Sequence, residues 1–196
     1  MKIIGVTGGI GSGKSTLTGY FERMGAFVVY ADDLAKSLMT TDEQLVADIK
    51  KTFGDESYLE DGSLNKPHLI REAFQAGRTD ELNAIVHPAV YRETQRLIEE
   101  AREKGYKLFV KEAALLLNNG RPEGFDTIIL VDAPEEIRIA RVMKREGSTR
   151  EEVTQRLHKQ PDFSKLHHLC DEIIVNDGTR EELEEKARGA YQKMID

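Results

Sequence analysis

Residues 8–15 decide the fold of this chain, and they read Gly8-Gly9-Ile10-Gly11-Ser12-Gly13-Lys14-Ser15. The stretch matches the pattern G-x-x-x-x-G-K-[ST] in full. In such a loop the backbone N–H groups converge on phosphate oxygens, and the helix that follows directs its positive end at them. A random chain of this length contains the pattern about once in a hundred. The match therefore predicts a phosphate-binding loop rather than a simple glycine-rich turn.

The motif assigns ATP and Mg²⁺ to this loop. Lys14 is expected to reach the β- and γ-phosphates, and the hydroxyl of Ser15 is expected to ligate Mg²⁺. Glycine is needed where a Cβ would block close approach or where φ is positive. The remaining positions predicted to hold ATP are Gly9, Gly11, Ser12, Gly13 and Thr16.

Short apolar runs alternate with helical patterns along the chain, which indicates a parallel sheet with crossover helices. The runs are nearly continuous, as expected for strands that are covered on both faces. The predicted strands are Lys2–Thr7, Ala26–Tyr30, Lys107–Lys111, Thr127–Val131 and Glu172–Val175. We therefore expect an α/β fold, a three-layer P-loop NTPase core with a five-stranded parallel sheet.

The spacing of the strands predicts two helical insertions in a single domain of 196 residues. The interval from 33 to 105 is far longer than ordinary crossover loops of ~2–6 residues. We interpret it as one core helix followed by a helical substrate-binding insertion, about residues 40–105. A second helical excursion, about residues 133–169, is interpreted as a lid. The core is then formed by about residues 1–32, 106–132 and 170–196.

Composition narrows the possible partners. The net charge of −7 argues against a general nucleic-acid or anionic-membrane binder. No apolar run reaches the ~20 residues of a membrane span, and the N-terminal strand leaves no room for a signal peptide. Cys170 is the only cysteine, so it forms neither an internal disulfide nor a zinc site. We expect a cytoplasmic protein that binds small molecules, whereas its oligomeric state stays open.

A phosphate-binding loop by itself does not distinguish kinases from GTPases and ATPase motors. A GTPase needs a base-reading Asn-Lys-x-Asp, and Asn65-Lys66 lacks the aspartate. Motor ATPases usually end an apolar strand in Asp-Glu, and neither Lys111-Glu112 nor Asp132 fits that pattern well. A short core with a helical insertion and an arginine-bearing lid favours a kinase.

Asp32 is the candidate general base, because it follows the second predicted strand, which is expected beside the phosphate loop. A carboxylate with an ordinary pKa of ~3.9 is ionised at neutral pH and can accept a hydroxyl proton. The alternative is that Asp32 or Asp33 only caps the helix that follows. The residues alone do not separate the two interpretations.

Arg138, Arg141 and Arg145 recur at three and four residues and share one helix face. In an acidic protein such a cluster indicates polyphosphate binding. The alternative is a solvated face that pairs with nearby glutamates. Beside a phosphate loop we favour the first interpretation.

Helix signals complete the secondary-structure prediction. Pro88 suits the first turn of a long helix that Gly105 closes. Ser148 with Glu151, and Thr179 with Glu182, match capping boxes.

With these features in place, the chain closely resembles the dephospho-CoA kinase family, nearly end to end. The loop is embedded in the family's longer pattern from Thr7 to Thr16, which is more specific than a general phosphate loop. Further matching positions are Ala31-Asp32 with Ala35, Leu82-Asn83 with His87-Pro88, Leu115-Leu116, Arg141 with Arg145, Gln160, and Asn176-Asp177-Gly178.

The resemblance implies transfer of the γ-phosphate of ATP to the ribose 3′-hydroxyl of dephospho-CoA. Asp32 would then take the hydroxyl proton and bind substrate, and Arg141 would act in catalysis by meeting the phosphates. Arg145, Asn176 and Gly178 would belong to the ATP site. His87 either touches substrate or only begins the long helix.

Two positions depart from the family pattern. The family usually has Asp-Ala-Asp where this chain has Tyr30-Ala31-Asp32, so a neighbouring carboxylate is lost. It also tends to have Pro-Leu-Leu-Phe-Glu, where this chain ends in Asn118. The alternatives to this function are a kinase of another small hydroxyl compound, such as a nucleoside or a shikimate-like acid, and a nucleotide-binding switch without turnover.

Overall fold

The computed structural model describes residues 1–195, so residue 196, the last of the predicted core, lies outside the described residues. The strands are β1 (Lys2–Thr7), β2 (Phe27–Tyr30), β3 (Leu108–Glu112), β4 (Thr127–Asp132) and β5 (Glu172–Val175). All neighbouring strands are parallel, in the order β2-β3-β1-β4-β5. The predicted α/β fold with a five-stranded parallel sheet is confirmed.

The strand order corrects one expectation about Asp32. β3, not β2, lies directly beside β1, with Val6 of β1 in register with Glu112 of β3. After β2 the chain continues through residues 31–107 and then forms β3, which lies between β2 and β1 in the sheet. Asp32 therefore follows a strand that is one place removed from the strand that carries the phosphate loop.

Eight α-helices accompany the strands within the described residues. They are α1 (Lys14–Arg23), α2 (Ala31–Thr41), α3 (Glu43–Phe53), α4 (Lys66–Leu69), α5 (Thr79–Glu103), α6 (Glu135–Glu146), α7 (Arg150–His158) and α8 (Arg180–Ile195). A π-helical segment, Ile70–Gln75, follows α4, and short 3₁₀ helices cover Asp55–Ser57 and Phe163–Leu169. Every helix in the described part of the chain is too short or too polar to cross a lipid bilayer.

The chain divides into two compact units, one formed by residues 1–30 with 101 onwards and the other by residues 31–100. In the first unit, one face of the sheet packs against α1 and α8 through a cluster that includes Val6, Phe21 and Ala187. Residues 128–131 of β4 are all fully buried, as expected for a strand covered on both faces. The phosphate loop follows β1, which pairs with this buried strand.

The second unit is helical and has its own core. Leu45, Ile49 and Phe53 recur at four-residue spacing on α3 and are buried in a cluster with Leu69 and Val86. Helices α2, α3, α4 and α5 thus contribute side chains to one buried cluster.

Two helix signals were wrong in detail. α5 begins at Thr79, so Pro88 lies inside the helix rather than in its first turn. A proline inside a helix lacks the N–H group for one hydrogen bond, and its ring crowds the carbonyl four residues earlier, although its φ is helical. The capping box of α7 is formed by Thr149 and Glu152, one residue later than predicted, whereas the box of Thr179 and Glu182 is confirmed.

Candidate active site

The phosphate loop runs from the end of β1 into the first turn of α1. Gly13, the residue before α1, has a φ of 97°, which favours glycine. A Cβ at Gly13 would also lie 2.1 Å from Nδ2 of Asn176. Glycine at this position therefore serves both the backbone conformation and the close approach of a neighbouring side chain.

A cavity of about 520 Å³ opens around the loop and brings most of the predicted ATP-site residues together. Its lining comprises Gly11, Gly13, Lys14, Ser15, Thr16, Arg141, Lys144, Arg145, Asn176, Gly178, Thr179, Arg180 and Leu183. Five of these described residues are lysine or arginine, and none is aspartate or glutamate. In a chain of net charge −7, this concentration of positive charge favours a polyanionic ligand.

Two predicted loop residues do not line this cavity. Ser12 is fully buried, and its Oγ has no hydrogen-bond partner among the described residues. Gly9 is covered by the guanidinium of Arg138. Their direct contact with ATP stays a prediction.

Asn176 connects the loop to the arginine helix. Its Nδ2 donates to the carbonyl of Ser12 at 2.7 Å, and its Oδ1 accepts from Arg141 at 3.2 Å. A second guanidinium nitrogen of Arg141 donates to the backbone carbonyl of Asn176 at 3.0 Å. Since the Asn176 side chain is buried and both ends of its amide are bound, it braces the phosphate loop against Arg141.

Replacing Asn176 with alanine is expected to loosen this connection. The buried carbonyl of Ser12 would lose its donor, which typically costs about 1–3 kcal/mol of unfolding free energy. We expect ADP affinity to fall about tenfold, since the loop N–H groups lose part of their orientation. Urea unfolding and calorimetric titration measure the two effects. The control is Asp177→Ala, which removes an exposed partner of Lys186 and a charge near Arg141 but neither hydrogen bond of the Asn176 amide. Equal affinity of both variants for ADP would contradict the bracing role.

Glu112 is a site residue that the sequence interpretation missed. Its Oε1 lies 3.6 Å from Nζ of Lys14, and its Oε2 is buried without a hydrogen-bond partner among the described residues. The signal was present, since Glu112 ends an apolar strand. The position of Glu112 could indicate a contact with Lys14 only once β3, and not β2, was known to lie beside β1.

The three arginines of α6 have different environments. Arg141 is partly buried, and burial lowers the pKa of its guanidinium while Asp177 raises it; an arginine nevertheless stays charged. Arg145 is exposed and pairs with Glu146, as the solvated-face interpretation expected. Arg138 does not line the nucleotide cavity. The three arginines therefore make different contacts, although their positions share one face of α6.

Asp32 and His87, the residues predicted to contact the substrate that accepts the phosphate, belong to the unit of residues 31–100. α2 begins at Ala31, so Asp32 and Asp33 lie inside its first turn and not at the capping position before it. Both carboxylates are exposed; Asp33 pairs with Lys36 at 2.8 Å, whereas Asp32 has no hydrogen bond or ion pair with a described residue. His87 is exposed in the middle of α5.

Comparison with known proteins identifies the family of this chain. A family model described as dephospho-CoA kinase matches residues 2–182. The chain belongs to the dephospho-CoA kinase family. A dephospho-CoA kinase of Salinibacter ruber is 41% identical over 97% of this chain and 96% of its own length.

Solved structures share the fold of this chain. A Thermus thermophilus protein of known structure is 33% identical, with a TM-score of 0.80 over 98% of this chain and 97% of its own. A dephospho-CoA kinase from Campylobacter jejuni covers 98% of this chain and 97% of its own at a TM-score of 0.65. At 20% identity, the second likeness supports the fold alone.

The structure describes both departures from the usual dephospho-CoA kinase pattern. Tyr30 ends β2, and burial raises the pKa of its hydroxyl, with Glu22 and Glu112 adding to the increase. Tyr30 is therefore neutral at physiological pH and does not replace the charge of an aspartate. Asn118 is exposed, and its backbone N–H donates to the carbonyl of Leu115.

Proposed function

We propose that this protein transfers the γ-phosphate of ATP to the ribose 3′-hydroxyl of dephospho-CoA, giving coenzyme A and ADP, the last step of coenzyme A biosynthesis. One observation carries the proposal: a cation-lined phosphate cavity in a chain that matches the dephospho-CoA kinase family over residues 2–182. Phosphoryl transfer depends mainly on positioning and on stabilising charge, and the cavity supplies groups for both.

The donor end of the reaction is assigned to the phosphate loop and α6. Backbone N–H groups at the start of α1 hold the phosphates, and Lys14 neutralises the charge that develops as the γ-phosphate leaves. Arg141 is held toward the loop by Asn176 and adds a fixed positive charge. Arg145 gives up its exposed pair with Glu146 when it binds phosphate, since such a pair contributes little stability.

Mg²⁺ fits the oxygen groups of this site. Ser15 lines the cavity, and Glu112 has a buried carboxylate oxygen without a hydrogen-bond partner among the described residues, so these two residues would hold the ion through oxygen atoms. Hydroxyl and carboxylate oxygens suit a Mg²⁺ ion that keeps several waters and binds substrate phosphates. When bound, the ion neutralises charge on the β- and γ-phosphates.

The acceptor end is assigned to residues 31–100. Asp32 is exposed and has no hydrogen bond or ion pair with a described residue, so its carboxylate is available to accept the proton of the 3′-hydroxyl. We keep His87 as a substrate contact, because it is exposed on α5 and not enclosed in the helical core. The chain thus divides its proposed roles between donor residues in one unit and acceptor residues in the other.

The proposal includes a cytoplasmic setting in which ATP and dephospho-CoA are the partners. The net charge of −7 supports small anionic substrates held in a local basic cavity over nucleic acid or an anionic membrane. The lid role of residues 133–169 and the substrate role of residues 40–105 belong to the same proposal.

A coupled ADP-release assay tests the function. The protein is incubated with ATP and Mg²⁺ and with dephospho-CoA, adenosine, shikimate or no acceptor, and the product is identified by mass spectrometry. We expect ADP release with dephospho-CoA only and coenzyme A as product. ADP release with another acceptor would favour a different small-molecule kinase, and ATP binding without acceptor-dependent ADP would favour a nucleotide-binding switch.

A further inference from the structure

Arg138 donates a hydrogen bond to the phosphate loop and does not line the cavity around Lys14 and Arg141. Its Nε donates to the backbone carbonyl of Ile10 at 3.0 Å. Its terminal NH2 group lies 3.4 Å from Oε1 of Gln160, and the same oxygen accepts from the backbone N–H of Ile10 at 2.8 Å. Both backbone polar groups of Ile10 are therefore held by side chains of the 133–169 segment.

The loop is shaped to receive this contact. A Cβ at Gly9 would lie 2.3 Å from a terminal nitrogen of Arg138, so the absent side chain makes room for the guanidinium. A Cβ at Gly11 would lie 2.6 Å from the backbone carbonyl of Arg138, so α6 itself approaches the loop closely. Two of the motif glycines thus face the arginine helix.

Apolar packing reinforces the hydrogen bonds. The Ile10 side chain packs against a buried cluster of α6 and α7 formed by Ile139, Val142, Val153 and Leu157. The tip of the phosphate loop is therefore embedded in the helical segment that follows β4. A displacement of α6 is transmitted to the backbone of Ile10, because packed side chains and fixed hydrogen bonds do not deform continuously.

The charge on Arg138 suits a permanent contact. Burial lowers the pKa of its guanidinium, while Asp132 and Glu135 raise it, so the group remains an ionised donor that is partly withdrawn from water. Arg141, one turn further along α6, lines the nucleotide cavity. One helix therefore carries both a loop-binding arginine and a phosphate-facing arginine at a fixed separation.

We propose that Arg138 and Gln160 form a clamp on the two backbone polar groups of Ile10 that positions the phosphate loop for the terminal phosphate of a nucleoside triphosphate. Residues 13–16, at the start of α1, hold the phosphates that ADP and ATP share. The clamp acts at the other end of the loop and sets its distance from α6, where the additional phosphate of ATP must fit. Arg138 and Gln160 are thus positioning residues, and the inference rests on the proposed phosphoryl transfer from ATP.

The decisive measurement compares affinity for ADP with affinity for a non-hydrolysable ATP analogue. We expect Arg138→Gln and Gln160→Met to weaken binding of the analogue about tenfold and to change ADP affinity less than threefold. Gln160→Glu keeps the acceptor oxygen and is expected to preserve the wild-type ratio. Arg150→Gln is the matched control, because it removes an exposed arginine of α7 that forms an ion pair with Glu136.

Turnover and exchange provide independent readouts. We expect kcat to fall about tenfold or more in Arg138→Gln and Gln160→Met, with the double variant no worse than the more impaired single variant, since the two act as one unit. Hydrogen exchange at the Ile10 amide is expected to accelerate in Gln160→Met. If Arg138→Gln does not fold, the Gln160→Met and Gln160→Glu pair decides the question.

The clamp is wrong if the variants weaken ADP and the analogue equally, or if both ligands bind as they do to the wild type. A wild-type protein without acceptor-dependent turnover would overturn the proposed function instead, and the binding ratio and Ile10 exchange would still decide the clamp.

Discussion

Lys14→Ala is expected to lower kcat on the order of 10³-fold. Lys14 is the cationic side chain that the loop motif places at the β- and γ-phosphates, where charge develops as the γ-phosphate is transferred. Its side chain is mostly buried and faces Glu112, so water replaces it poorly. Steady-state rates with saturating ATP and dephospho-CoA measure the loss.

A stability effect must be separated from this catalytic effect. Removing Lys14 leaves Glu112 as a buried carboxylate without its partner, which is expected to cost about 3–5 kcal/mol of unfolding free energy. Glu112→Gln in the Lys14→Ala background removes that charge and should restore most of the stability measured by urea unfolding. Activity should stay lost, since neither change supplies a cation at the phosphates.

The outcome distinguishes two roles for Lys14. If the double variant recovers both stability and turnover, Lys14 serves mainly to neutralise Glu112. Robust turnover of Lys14→Ala by itself would overturn the assignment of this loop as the phosphate site.

Asp32→Asn is expected to lower kcat by about 10²- to 10⁴-fold, the usual range for removal of a general base. ATP affinity should remain near the wild-type value, because the predicted donor-binding residues are unchanged. Stability should also stay within about 0.5 kcal/mol, since Asp32 is exposed and has no hydrogen bond or ion pair with a described residue. Rapid-quench measurement of the transfer step gives the rate, and calorimetric titration gives the affinity.

Asp33→Asn is the matched control for this prediction. It makes the same chemical change one residue further along the same helical turn, and it removes only the exposed pair with Lys36. That pair contributes at most a few tenths of a kcal/mol. Similar kcat values for the two variants would mean that the helix's negative first turn, and not a base at Asp32, is what the site requires.

The sequence alone determined the features that depend on local pattern. Continuous apolar runs identified all five strands to within one residue at their ends, because burial on both faces demands such runs. The motif at residues 8–15 predicted where the cavity lined by lysine and arginine opens, because this order of glycines and Lys14 is typical of phosphate-binding loops. Local pattern also gave a wrong start for α5. Pro88 was expected in the first turn but lies inside the helix, and sequence alone does not distinguish the two positions of a proline.

Only the tertiary structure decided which distant residues meet. Strand order placed β3 beside β1 and so brought Glu112 to Lys14, although Asp32 had been expected at that neighbouring position. It also bound Asn176 to Ser12 and Arg138 to Ile10 across more than a hundred residues. Local sequence specifies helices and strands through short-range backbone and burial preferences. Contacts such as these depend on how the sheet is ordered and packed, which no local pattern in one chain encodes.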